Sequence, residues 1–160
     1  CSSFHLSNQE TLNKKMNQKQ ELTAVESPVN LDYNILRNQL LPNLLEILNR
    51  NKRYEYPQNI FEMGTIFTGI KESESLAILK CEGNFTEIKQ ILDNLLSSLN
   101  LEYEIKEFSH PSFIEGRAAK IMIKEKEIGY LGEISPKVLI NFDLELPISA
   151  LELNISKLFF

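Results

Sequence analysis

Segments that place apolar residues on alternate positions recur along this chain, and short turns join several of them. Ile60 to Phe67, Ser75 to Cys81, Arg117 to Lys124, Glu127 to Ile134 and Ser149 to Ile155 all read as strands. Period-two patterning sets one face of a strand against a core, and turns this short between neighbours require antiparallel pairing. The last strand shows the logic most clearly, with Leu151, Leu153 and Ile155 on one face and Ala150, Glu152 and Asn154 on the other. Strands outnumber helices, which predicts an α+β domain with a mostly antiparallel sheet and helices on one side.

The helices announce themselves by capping and by a 3.6-residue stripe. Asn84-Phe85-Thr86-Glu87 carries an N-cap with a glutamate three positions later, and Phe85, Ile88, Ile91, Leu92, Leu95, Leu96 and Leu99 follow at helical spacing until Asn100. Pro42 lacks an amide proton and disfavours helix before it, so a second helix is predicted from Pro42 to about Asn51 with Leu44, Leu45 and Leu48 inward. Ser135-Pro136 opens a short third helix through Val138, Leu139 and Phe142. At the start of the chain, Cys1 to Leu6 reads as a strand, Ser7-x-x-Glu10 as a helix cap above a thin Leu12 and Met16 stripe, and Glu21 to Glu26 as a further strand ended by Pro28.

A chain of 160 residues buries roughly 70% of its unfolded surface and needs neither metal nor disulfide to hold one core. Residues 1–160 are therefore taken as a single domain. Because it starts at Cys1, without methionine and already in extended sequence, it is expected to be a piece of something longer. The net charge of −5 repels phosphate backbones, which argues against a large nucleic-acid-gripping face. The basic run Arg50-Asn51-Lys52-Arg53 is a helix end, where cations meet the negative pole of the dipole. Cys1 and Cys81 lack metal or redox spacing and suit a reducing compartment. Apolar runs are broken well short of the roughly 20 residues that a bilayer span requires.

The residues offer little chemistry. His5 and His110 have no ligand partners at helical or strand spacing, so no metal site is assigned. Cys81 ends a strand on the face of Ala77 and Leu79, a position for a buried thiol. Gly129-x-x-Gly132 is too strand-like to cradle phosphate and instead lets a neighbour approach the hairpin closely. Glu62, Glu133 and Glu152 sit on strands, where a carboxylate is solvated or paired with a base such as Arg117. No catalytic or cofactor-binding residue is assigned.

Against this plain background the run LRNQLLPNLLEILNRNKRYEYPQNIFEMGTIF, with HPSFIEGRAAKI, IGYLGEISPKVLINF and PISALELNI, resembles the β subunit of phenylalanyl-tRNA synthetase of the archaeal and eukaryotic cytosolic type. The combination of Leu36-Arg37, Leu40-Leu41-Pro42, Phe61-Glu62-x-Gly64 and Gly129-x-x-Gly132-Glu133 carries the likeness across nearly the whole chain. The resemblance implies a class II aminoacyl-tRNA synthetase-like fold, non-catalytic, packed against the catalytic α subunit in an α2β2 heterotetramer in the cytoplasm. ATP and Mg2+ belong to the whole assembly in that reading, and tRNA(Phe) touches this fragment little. In active members the strand matching Ile60 to Phe67 is followed by an Arg-x-Glu segment that grips the ATP α-phosphate, where this chain has Thr68-Gly69-Ile70. A threonine hydroxyl does not supply the bidentate cation that developing charge at phosphorus demands. The glycine-rich, arginine-ended stretch expected near the C-terminus is also missing from PISALELNISKL.

Two expectations follow for particular residues and for function. Arg37, Glu62, Arg117 and Glu152 are expected in internal or interface ion pairs rather than at a catalytic centre. A rival reading keeps the same fold but uses the sheet face as a pocket for an amino acid or for editing.

Overall fold

Extended segments near the chain start form a small sheet of their own. In the computed structural model, which describes residues 1–28 and 30–159, β1 (Leu6–Ser7) and β2 (Thr23–Ala24) flank β3 (Ile35–Leu36), all antiparallel. The strand expected over Cys1 to Leu6 thus pairs only at its end. The residues before it run beside the main sheet, where the Ser3 amide donates to Glu62 Oε1 at 3.1 Å. Ser7 is consumed by β1 and caps nothing. Asn8 takes that role, its Oδ1 accepting the Thr11 amide at 2.8 Å. The turn that follows, Glu10–Lys15, is π-helical, and it buries Leu12 and Met16.

The main sheet begins after α1 (Leu41–Asn51) with β4 (Asn59–Thr68) and β5 (Lys71–Cys81). Next come α2 (Phe85–Ser98), β6 (Glu104–Glu107), β7 (Phe113–Ile123), β8 (Lys126–Ile134), α3 (Pro136–Asn141) and β9 (Ile148–Asn154). Its order is β4-β5-β9-β8-β7-β6, every neighbouring pair antiparallel. The last strand of the chain is therefore inserted between two hairpins and lies at the centre of the sheet.

Helices cover both faces, not one. Leu41, Leu44, Leu45 and Leu48 of α1, Val138 of α3 and Phe142 just after it pack on Ala77, Leu79, Ala118 and Ala150. On the opposite face Ile88, Leu92 and Leu96 of α2 pack on Ala119, Ile121, Leu131, Leu151 and Leu153. The physical reason lies in β9, which sets Leu151 and Leu153 on one face and Ala150, small enough to let α1 approach, on the other. Fully burying the three α2 side chains contributes roughly 2 kcal/mol each before entropy is counted.

The cap at Asn84 is realised on both sides, with Glu87 N–H to Asn84 Oδ1 at 3.0 Å and Asn84 N–H to Glu87 Oε2 at 3.1 Å. Helix α1 has no cap from its own sequence, and a strand supplies one instead. Close approach also explains two glycines of β8. A Cβ at Gly129 would lie 2.1 Å from the Glu152 carbonyl, and one at Gly132 would lie 2.8 Å from both the Phe113 ring and the Arg117 carbonyl.

Candidate functional site

The segment Arg37 to Leu41 crosses one face of the main sheet between β3 and α1, and a buried carboxylate holds each of its ends. Arg37 is 1% exposed and Glu62, beneath it on β4, is 2% exposed. Arg37 Nη1 donates to Glu62 Oε1 at 2.7 Å, and Nε donates to the Thr65 carbonyl at 2.8 Å. Ser3 completes the cluster, accepting from Arg37 Nη1 at 2.8 Å while donating to Glu62 Oε2 at 2.8 Å. Gly64 makes room for the guanidinium, since a Cβ there would stand 2.6 Å from Arg37 Nη2. The Phe67 amide donates to the Arg37 carbonyl at 2.9 Å, which ties the backbone to β4 as well.

At the other end Glu152 of β9, 4% exposed, reaches up to the start of α1. Its Oε1 accepts the Leu40 amide at 2.8 Å and the Ser75 hydroxyl at 3.0 Å. Its Oε2 accepts the Leu41 amide at 3.1 Å and the Tyr130 hydroxyl at 3.2 Å. Tyr130 also lies 3.3 Å from Gln39 Oε1, but a phenol has one proton and the carboxylate is the stronger acceptor. Burial pushes the Glu152 carboxyl above its usual range, and its four donors offset that only in part. Burial and the neighbouring carboxylate push Tyr130 well above the usual 10.

The four residues expected in ion pairs thus have three fates. Arg37 and Glu62 are brought together in a buried pair. Arg117 meets Glu133 at 2.7 Å, but at 61% exposure it is a surface contact, and the other Glu133 oxygen accepts the Phe85 amide at the start of α2. Glu152 has no cation partner among the described residues, because neutral amides and hydroxyls and the positive end of α1 already satisfy its charge. Residue spacing gave no hint of Ser3, Ser75, Gln39 or Tyr130, which become neighbours only when β4, β5, β8 and β9 assemble.

Beside this cross-over a cleft of about 190 Å³ opens on the sheet, lined among others by Asn38, Gln39, Ser75, Tyr130, Glu152 and Lys157. It contains one ammonium group, but Lys157 Nζ is bound to the Glu127 carbonyl at 3.1 Å. Residues Thr68, Gly69 and Ile70 lie at the β4–β5 turn, where Ile70 is 96% exposed and offers no charge. Phe108, Phe113, Tyr130 and His110 form an aromatic corner on the same sheet, with Phe108 stacked on His110 at 5.4 Å. Strongly shifted groups often mark catalysis. Here Glu152 is buried beneath the segment it holds, and the half-buried Tyr130 donates its hydroxyl to that carboxylate. A larger recess of about 400 Å³ lies away from the sheet, between the N-terminal segment and the outer side of α1. Among the described residues no three His, Cys, Asp or Glu side chains are placed to share a metal ion, and no helix is long and apolar enough to cross a membrane.

The side of the sheet that carries α2 is only half covered. Phe61 and Met63 of β4 are 61% and 65% exposed. They stand opposite the half-buried Ile78 and Leu76 of β5.

Comparison with known proteins agrees with this geometry. The family model described as the phenylalanyl tRNA synthetase beta chain CLM domain matches residues 1–155. The phenylalanine–tRNA ligase beta subunit of Pyrococcus abyssi is 40% identical over 98% of this chain and 30% of its own length. That of Methanocaldococcus jannaschii is 43% identical over 94% of this chain and 29% of its own length. The chain thus spans less than a third of the length of these relatives. Among solved structures, a pyrrolysyl tRNA synthetase from Desulfitobacterium hafniense superposes with a TM-score of 0.76 over 99% of this chain and 60% of that one, at 17% identity. That likeness shows the fold, which is class II synthetase-like.

Proposed function

Because the chain belongs to the phenylalanyl-tRNA synthetase β-chain family, we propose that it is a single non-catalytic domain of a cytoplasmic phenylalanine–tRNA ligase β subunit. In this reading it supports the catalytic α subunit in the heterotetramer that aminoacylates tRNA(Phe), while ATP and Mg2+ are handled elsewhere in the assembly. One observation carries the proposal: the charged groups under the sheet-face segment are neutralised internally, Arg37 by Glu62 and Glu152 by four donors. Among the described residues that line the cleft, the one cation a triphosphate would meet is Lys157, and that ammonium already serves a carbonyl. Adenylate chemistry needs cations aimed at the phosphates, and a guanidinium sealed against its own carboxylate does not serve.

Support for assembly comes from the bare apolar strip of Phe61, Met63, Leu76 and Ile78, since such surface is stabilised by a partner more than by water. The test is co-expression with the catalytic subunit of the same organism. Capture of that subunit by the wild-type chain, and its loss in a folded Phe61→Glu/Met63→Glu variant, is the expected result. Equal capture by both would remove the apolar strip from the proposal, and no capture by either would remove the assembly. Calorimetry on the chain alone separates the rival reading, because micromolar binding of phenylalanine or ATP would make the cleft a ligand site.

A further inference from the structure

Four donors from three separate elements converge on the Glu152 carboxylate: the Leu40 and Leu41 amides that begin α1, Ser75 Oγ from β5 and Tyr130 OH from β8. Helix α1 runs from Leu41 to Asn51, and its first free amides have no capping side chain within the helix sequence. A helix start with uncommitted amides attracts an anion, and two hydroxyls aimed at the same point from other strands turn that tendency into a cage. The cage opens toward the cleft that Gln39, Ser75, Tyr130 and Glu152 share.

We infer that this is an oxyanion site occupied by the protein's own side chain: Glu152 is a tethered ligand that takes every donor and so closes the floor of the cleft to free carboxylates and phosphates. The inference goes beyond the assembly role and holds whether or not a partner subunit binds. It assigns the exclusion of anions to one residue rather than to collapse of the fold. Glu152→Ala removes the tethered carboxylate and opens space for a one-carbon acid, leaving the Leu40 and Leu41 amides without an acceptor while Ser75 and Tyr130 keep second acceptors in the Leu153 carbonyl and Gln39 Oε1.

Thermal unfolding of the chain carrying Glu152→Ala, in sodium formate against sodium chloride of equal ionic strength, tests it. A saturable rise of about 4 °C is expected when formate stands tenfold above its Kd, with no such rise in the wild type. If the variant folds only when formate is present, the inference is supported in a stronger form. A folded variant indifferent to formate, a wild type that responds equally, or a variant that stays unfolded in formate overturns it.

Discussion

Removing Glu62 isolates the guanidinium of Arg37 in the protein interior, and the structure sets the size of the effect. Arg37 is 1% exposed, so it cannot recover its hydration by turning outward. In Glu62→Ala it keeps the Thr65 carbonyl at 2.8 Å and the Ser3 hydroxyl at 2.8 Å, but no negative charge. Ser3 loses the acceptor of both its amide and its hydroxyl at the same time. Breaking one half of a buried pair typically costs about 3–5 kcal/mol, because the desolvated partner charge remains. With an m-value of about 2 kcal/mol/M, the urea midpoint falls by about 2 M. Replacing both partners by apolar residues, Arg37→Met with Glu62→Leu, removes the stranded charge and is expected to recover most of that loss. Equilibrium urea unfolding of wild type, Arg37→Met, Glu62→Leu and the double variant gives the coupling directly. A Glu62→Ala cost below about 1 kcal/mol, the range of an exposed pair, would refute the argument, since it would mean that Arg37 reaches water.

Arg117→Ala is expected to cost no more than about 1 kcal/mol in the same assay, because its partner contact is solvent-exposed and the Glu133 contact to α2 survives. Gly64→Ala drives a methyl group to 2.6 Å from Arg37 Nη2 and should cost about 1–3 kcal/mol, read as a lower Tm. Two titrations act in opposite senses on stability. Burial lowers His110 from its usual 6.5, so its contribution is complete above that value and is lost as pH falls through the window beneath it; His110→Phe should flatten that slope. Burial raises Glu152 from its usual 4.5, so its contribution is complete below that value and is lost as pH rises through the folded-state value; Glu152→Gln should remove that dependence.

The elements that sequence reading recovered are those whose signal is local. The Asn84–Glu87 cap and the stripe from Ile88 to Leu96 specify α2 without reference to anything else, and Pro42 places the start of α1 within one residue. The β4–β5 hairpin was harder. Lys71-Glu72-Ser73-Glu74 has no apolar alternation, yet it is strand, because this end of the hairpin extends past β9 into solvent and a two-residue turn at Gly69, with φ +62, fixes its register. Placement of helices on both faces depended on Ala150 and Leu151 being read as two buried faces of one central strand. The site was illegible for a different reason: Ser3, Arg37 and Glu62 are distant in sequence and meet only where the N-terminal segment lies along β4, and Leu40, Ser75, Tyr130 and Glu152 meet only through the insertion of β9 between β5 and β8.

That insertion explains why the cross-over segment is held so firmly. Arg37 is anchored to β4 through Glu62, Thr65 and Phe67, and the Leu40 and Leu41 amides are anchored to β9 through Glu152. β5 lies between those two strands, so the segment spans three strands and is fastened at both margins by buried carboxylates. Loosening one end exposes the buried charge at that end, while the other end still restrains α1. The two anchors should therefore be coupled through five residues of chain, although their side chains do not touch. In a double-mutant cycle of Glu62→Ala with Glu152→Ala, the combined loss is expected to fall short of the sum by at least about 0.5 kcal/mol, since the first break already frees part of what the second would release. Strict additivity would mean that the segment is two independent contacts rather than one strap across the sheet.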